Sequence, residues 1–450
     1  MVLDRRKFLK TTLGGGAAAA GGFPMIVPSR VLGADGAVPP NDKINVACIG
    51  VGSMGSGHVR GFLQQRDVRV VAICDVNEAA RNRNRDAVNS AYKDKDCQTY
   101  NDFRELLARK DVDAVLIATP EHWHTLIAIE AARQGKSMYC EKPIGVSIAE
   151  AKALREAVKR YGVVFQEGCQ QRSDQRYRMA CELTWNGRIG RPETIMIASA
   201  GSGSMSPIPE EKPQPVPEGL DWDLWLGPAP YVPYTPMRIA RPPGAGAPIW
   251  MFIHDYGLGS MGGAWGIHDV DIAQWVSGND YTTPVETEGE GVFFTDIRDA
   301  VHTWTVEHRY ANGVKVIHMD LATAKRRSEH FATGSMASVI LGSEGWIYVS
   351  RQGMRTHPES LMQEVIRPDE KRAVLSNDHR RNFLDAVRNR TTPIANIESA
   401  AHGEMVNQQA DIALRLGRKV RWDPVKEEFI DDPQANRMMN RPTRSPWRLL

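Results

Sequence analysis

A chain of 450 residues that is 42% hydrophobic and 24% charged has the composition of a soluble globular protein, long enough for two domains. Its formal net charge of +2, with no extended basic run, lacks the electrostatic footprint of a nucleic-acid binder. The six cysteines (Cys48, Cys74, Cys97, Cys140, Cys169, Cys181) form no Cys-x-x-Cys pair and no zinc-ligand spacing. They read as free thiols, and no metal is expected.

Residues 1–40 open on Arg5-Arg6, then Phe8-Leu9-Lys10 and a glycine- and alanine-rich stretch. Paired arginines ahead of a weakly apolar segment read as a twin-arginine export signal with its linker, a route for proteins already folded. The expected partner is the twin-arginine export machinery. The expected destination is the periplasm, or a membrane tether if the leader is retained.

Residues 41–165 read as a dinucleotide-binding domain. The β-prone run Lys43 to Ile49 leads into Gly50-Val51-Gly52-Ser53-Met54-Gly55 and a helix-compatible stretch. Gly50 permits a tight turn, Gly52 lets a pyrophosphate approach the backbone, and Gly55 lets helix and strand pack closely. The helix start, at Ser53 and Met54, then offers N–H groups to phosphates. A second strand, VRVVAICD, ends at Asp75, twenty residues after Gly55. A carboxylate there meets the adenosine ribose and favours NAD over NADP, a preference that Arg81, Arg83 and Arg85 could soften.

The third strand ends Thr119-Pro120-Glu121-His122-Trp123-His124. Ligands of open α/β sheets bind at strand carboxyl ends, which places Thr119, Pro120 and His124 by the cofactor. The His-x-His pair alone is a weak metal signal. A strand from Ser137 to Cys140 then delivers Glu141-Lys142-Pro143. A lysine there could hydrogen-bond a substrate hydroxyl, or simply pair with Glu141 at the surface. Ser147 with Glu150 carries a capping-box signature.

In this order, the GxGxxG loop, Asp75, Thr119 to His124 and Glu141-Lys142-Pro143 resemble the Gfo/Idh/MocA oxidoreductases. The likeness runs over about residues 42–450. Later stretches (FQEGCQQRS, WDLWLGPAP, GIHDVDIAQW, NRPTRSPW) resemble its exported, planctomycete- or Bacteroidetes-type branch. The resemblance implies an α/β protein, with an N-terminal Rossmann doubly wound parallel sheet. After it comes a C-terminal α+β domain on an open, largely antiparallel sheet. It also implies bound NAD, a homo-oligomer, sugar, sugar-derivative or cyclitol substrates, and Lys142 as the residue that binds substrate and assists proton transfer.

Residues 166–450 would form that second domain. A proline-rich excursion, 205–248, holds Trp222 and Trp225, read as a staple of the loop to the body. Asn312-Gly313 and Gly342 to Gly345 mark hairpins, and helices within 377–418 return to the body. His268, in a helix-like run after Gly262-Gly263, is the candidate base. The resembled family places an acid four residues earlier, where this chain has Ala264. Asp271, Asp255 or Asp269 could orient His268, and Arg172 is a candidate for substrate contact, with Tyr177 behind it.

The leading expectation is hydride transfer between bound NAD and a hydroxyl of a sugar or cyclitol. Two alternatives stand beside it. One is redox-neutral glycoside cleavage or epimerisation by oxidation, elimination and re-reduction. The other is a non-catalytic carbohydrate-binding protein with structural nucleotide.

Overall fold

A computed structural model describes residues 38–39, 42–201, 207–241 and 247–449. The paired arginines and most of the leader lie outside these residues, as does part of the proline-rich excursion.

The apolar runs become parallel strands. β1 (Ile44–Ile49), β2 (Val68–Cys74), β3 (Gln98–Tyr100), β4 (Ala114–Ile117), β5 (Ser137–Cys140) and β6 (Phe165–Glu167) form one sheet in the order β3-β2-β1-β4-β5-β6. Every pairing in it is parallel. All residues of β4 and β5 are buried, as expected of strands covered on both faces. Helices α1 (Ser53–Leu63), α2 (Glu78–Tyr92), α3 (Glu121–Arg133) and α4 (Ile148–Tyr161) provide much of that cover. Ser147 caps α4 by accepting from Glu150 N, while the Glu150 carboxylate reaches back to Val146 N rather than to the cap's own amide.

β6 ends at Glu167, so the first sheet runs past residue 165. Two late helices, α7 (His379–Asn389) and α8 (Ile397–Leu416), with α5 (Gln175–Trp185) and α6 (Gly266–Ser277) before them, complete the body. Phe383 and Leu384 of α7 pack with Val46, Cys48 and Tyr139 on one face of the parallel sheet. Ala400, Ala401 and Met405 of α8 join Ile49, Ile117 and Met138 on the other. The chain's end therefore helps close the core begun at its front.

The second sheet has nine strands among the described residues. They are β7 (Pro192–Ser199), β8 (Glu286–Phe293), β9 (Val301–Arg309), β10 (Lys315–Asp320), β11 (Ala337–Gly342), β12 (Trp346–Ser350), β13 (Met354–His357), β14 (Val420–Asp423) and β15 (Glu428–Phe429). Their order is β13-β12-β11-β7-β10-β9-β8-β14-β15, antiparallel except between β7 and β10. Both hairpins lie where the glycines mark them, with Gly313 at φ +87°. Trp222 and Trp225 stack at 4.8 Å between ring centroids, inside an apolar cluster that fastens the excursion to the body. All six cysteines are free and buried.

Candidate active site

The strand order reverses between β1 and β4, and a crevice opens there at the strands' carboxyl ends. A cavity of about 870 Å³ fills it, lined by the glycine loop on one side and by the segment leading into α6 on the other.

The loop has the shape a dinucleotide needs. Gly50 sits at φ +79°, and a Cβ there would lie 2.6 Å from the backbone of Ala118. A Cβ on Gly55 would lie 1.9 Å from Gly50 O, so helix and strand touch through bare backbone. Gly52 is the reverse case: a Cβ would meet nothing within 4 Å, because it faces the open cavity. Helix α1 starts there without a side-chain cap, leaving Ser53 and Met54 at the cavity wall.

Asp75 follows β2 and also lines the cavity. Its Oδ2 accepts from Val51 N and its Oδ1 from Asn77 N, both at 2.8 Å. A carboxylate has about four lone-pair sites, so acceptor capacity remains for a ribose. Of the three nearby arginines, Arg81 bonds Asp75 O and Asn101, Arg85 pairs with Asp86, and Arg83 lines the cavity. Open backbone at Gly52, an uncapped helix start and an acceptor beyond β2 together fit NAD.

Thr119 and Pro120 line the same wall, and the histidines after them are tied down. His124 faces Pro143 O at 2.6 Å and Thr119 O at 2.9 Å, joining the ends of two strands. Burial lowers its pKa. His122 faces Tyr256 O and Trp225 O instead. Both rings thus serve carbonyl oxygens of the fold.

Glu141 and Lys142 diverge rather than pair. Glu141 Oε1 accepts from His58 Nε2 at 2.8 Å and Gln170 Nε2 at 3.0 Å. Burial alone would raise this carboxyl, but His58 and Lys142 hold it below its usual range. Lys142 is 8% exposed, and its Nζ donates to Gly263 O (3.2 Å) and Ala264 O (3.1 Å). The lysine at the end of one sheet is therefore fixed by the turn that precedes α6.

That turn, Ser260–Ala264, is π-helical and runs through Trp265 into α6. His268 lines the cavity one helical turn on, and its Nδ1 has no partner among the described residues. Burial, with Lys142 and Arg351 nearby, holds the imidazole well below its usual pKa, so the ring is neutral.

Three other candidates stand away from the cavity. Arg172 is 2% exposed and donates to Asp271, Asp280 and Ile394 O, with its guanidinium 5.2 Å from the Trp275 ring centre. Asp271 is thus bound to Arg172 (2.7 Å) and does not orient His268. Asp255 is exposed and lines a separate cavity of about 270 Å³ beside His254 and Arg441. Asp271, Glu167 and Cys169 are the one close group of metal-ligand types among the described residues, and the Arg172 guanidinium already serves that carboxylate.

The sequence reading passed over Glu121. It starts α3, is 1% exposed and lines the cavity, with Oε2 accepting from Leu258 N (2.9 Å) and Oε1 unpartnered. A Cβ on Gly263 would lie 2.4 Å from its oxygens, so that glycine makes room for the carboxyl. Burial pushes Glu121 up to about 7, against the pull of Lys142. Its place two residues after Thr119, at a strand's carboxyl end, is a signal that could have found it. Trp265 and Arg351 also line the cavity, and no local pattern marks either.

A Rossmann sheet with a glycine loop at its switch point, with α6 and its preceding turn bringing polar groups to the same crevice, is the frame of a dinucleotide-binding α/β protein. Residues 44–169 match the NAD-binding Rossmann fold of the Gfo/Idh/MocA oxidoreductase family, and residues 202–449 match its C-terminal α/β domain. The chain belongs to that family.

Individual relatives share less of it. A glycosyl hydrolase family 109 protein of Shewanella sp. (strain ANA-3) is 36% identical over 161 residues, 33% of this chain and 35% of that protein. Myo-inositol 2-dehydrogenase of Thermotoga maritima is 29% identical over 158 residues, covering 35% and 45%. The chain thus spans less than half the length of these curated relatives. Among solved structures, scyllo-inositol dehydrogenase of Lactobacillus casei with bound NAD(H) and scyllo-inositol superposes at TM-score 0.56, with 16% identity, over 84% of this chain and 99% of that one. GenD2 from gentamicin A biosynthesis, in complex with NAD, gives 0.59 at 16% identity over 85% and 97%. These two likenesses are of fold.

Proposed function

We propose that the protein holds NAD in this cavity and transfers hydride between it and a hydroxyl-bearing carbon of a sugar, sugar derivative or cyclitol. The observation that carries this reading is that Lys142, just after β5, and His268, on α6, line the same cavity as the glycine loop. When bound, NAD supplies the hydride-accepting ring, and the chain handles the hydroxyl and its proton.

Lys142 has three N–H donors, and the Gly263 and Ala264 carbonyls take two. The third is left for a substrate oxygen, where an ammonium favours alkoxide character. Neutral His268, at the cavity wall, accepts the hydroxyl proton. Glu121, beside Lys142, is a third group able to hold a proton near neutral pH. Asp75 favours NAD over NADP by repelling a 2′-phosphate. The paired arginines extend the reading to export of a folded, NAD-loaded chain, assembled as a homo-oligomer.

The test uses the purified protein without added cofactor. Bound nicotinamide is quantified, then a panel of sugars, cyclitols and glycosides is added while the reduced-nicotinamide band is followed. Stoichiometric reduction that stalls is the expected result. Multiple turnovers with no lasting reduction would transfer the assignment to a redox-neutral cycle. No spectral change with any compound would overturn it.

A further inference from the structure

Arg351 lies between β12 and β13, at the cavity end that holds His268. Its guanidinium stands 5.7 Å from the Trp265 ring centre, within cation–π range, which restrains the charged group beside the indole. In the amide orientation that satisfies both ends of Gln171, Arg351 Nε donates to that side chain at 3.3 Å. Both terminal nitrogens remain.

No carboxylate of the described residues lies within ion-pair distance of them. Many other arginines are paired, as in Arg104–Asp102 and Arg418–Asp432. Two acids lie in the field of Arg351: Asp269 shares a small recess with it and His268, but its Oδ2 accepts from Ser199 Oγ at 2.7 Å, and Asp174 is paired with Arg176. Burial raises Asp269 to about 7, so around neutral pH much of it carries no charge to cancel the guanidinium. A planar pair of N–H donors, left over at the mouth of a cavity and beside a half-buried indole, matches a carboxylate on a ring whose apolar face packs on tryptophan.

We propose that the substrate is an acidic sugar or cyclitol derivative, carboxylate-bearing, whose acid group is held by Arg351 while its ring packs beside Trp265. This rests on the hydride-transfer reading of the same cavity and adds the charge of the substrate to it.

Calorimetric titration of the NAD-loaded full chain tests this independently of turnover. The probes are glucuronate and galacturonate, their neutral parents glucose and galactose, myo-inositol, and the 6-sulfate and 6-phosphate of glucose. A uronate is expected to bind at least tenfold more tightly than its parent. Arg351→Gln should weaken that binding by about ten- to a hundredfold, as loss of charge-assisted hydrogen bonds does. Arg351→Lys should restore part of it, and neutral sugars should bind both variants and wild type alike. Equal affinity for acid and parent, or an unchanged uronate affinity in Arg351→Gln, would overturn the proposal. Arg351-dependent binding of the sulfate or phosphate ester in preference to uronates would overturn the carboxylate assignment.

Nicotinamide absorbance read in the same titrations separates the two claims. Arg351-dependent uronate binding with no reduction by any sugar would sink the hydride-transfer reading alone. Reduction by neutral sugars, with uronates unbound, would sink this inference alone.

Discussion

Two sets of buried ionisable groups meet on helix α6, and they differ in what remains after hydrogen bonds are counted. Asp271 is held by Arg172, which also engages Asp280 and a backbone carbonyl, so each of these charged groups has a partner. His268, three residues earlier, keeps an unpartnered Nδ1, and Glu121, packed against Gly263 before the same helix, keeps an unpartnered Oε1. A satisfied buried network holds elements together, whereas buried polar groups left without partners beside a cavity mark where a fold keeps chemistry in reserve. Residue type could not separate these two sets, since all carry acid–base chemistry.

The largest expected effect falls on the unsatisfied set. Lys142→Met or His268→Ala should lower kcat by about a hundred- to ten-thousandfold while leaving the urea midpoint close to wild type. Rates near wild type would show that neither side chain takes part in the chemistry. Next comes the satisfied set: Arg172→Met leaves the Asp271 and Asp280 carboxylates without their shared cation and should cost about 3–5 kcal/mol of stability in urea denaturation. A destabilisation under 1 kcal/mol would show that the network is not what holds α6.

Buried carboxyl groups also make the fold's stability depend on pH. Glu121, Glu150, Asp269 and Glu167 are raised by burial to about 7, 7, 7 and 8. The folded state therefore binds protons that the unfolded state has released, and these groups' stabilisation is lost as pH rises through their folded values. The buried histidines, lowered from 6.5, act the other way, but only as pH falls below 6.5. Thermal midpoints should thus fall between about pH 6.5 and 8, and Glu121→Gln should flatten that slope. The same variant should remove a limb near pH 7 from the kcat profile with a loss within about tenfold. A slope identical to wild type would show that Glu121 does not titrate there. The smallest effect is on cofactor choice. Asp75→Asn should relax the preference for NAD over NADP by about tenfold, the scale of one charge-assisted hydrogen bond, in paired cofactor titrations.

Sequence and structure agree best where chemistry is local. The glycine loop, Asp75 and the strand ends at Thr119 and Glu141 are consecutive in βα units, whose period and turn residues fix their direction. The lysine's surroundings were not legible. Lys142 is separated from Gly263 and Ala264 by 121 and 122 residues, and only the packing of the two sheets brings those carbonyls to its Nζ. Arg172 and Asp271 looked like site residues by type and turned out to answer one another. Arg351 looked like any turn arginine.

By itself the sequence determined the elements and the nucleotide cradle, because backbone geometry and hydrophobic period act within a few residues. Tertiary structure alone decided which charged groups are matched and which face the cavity. That outcome depends on partners brought together across a hundred residues or more, and on the burial that shifts their protonation.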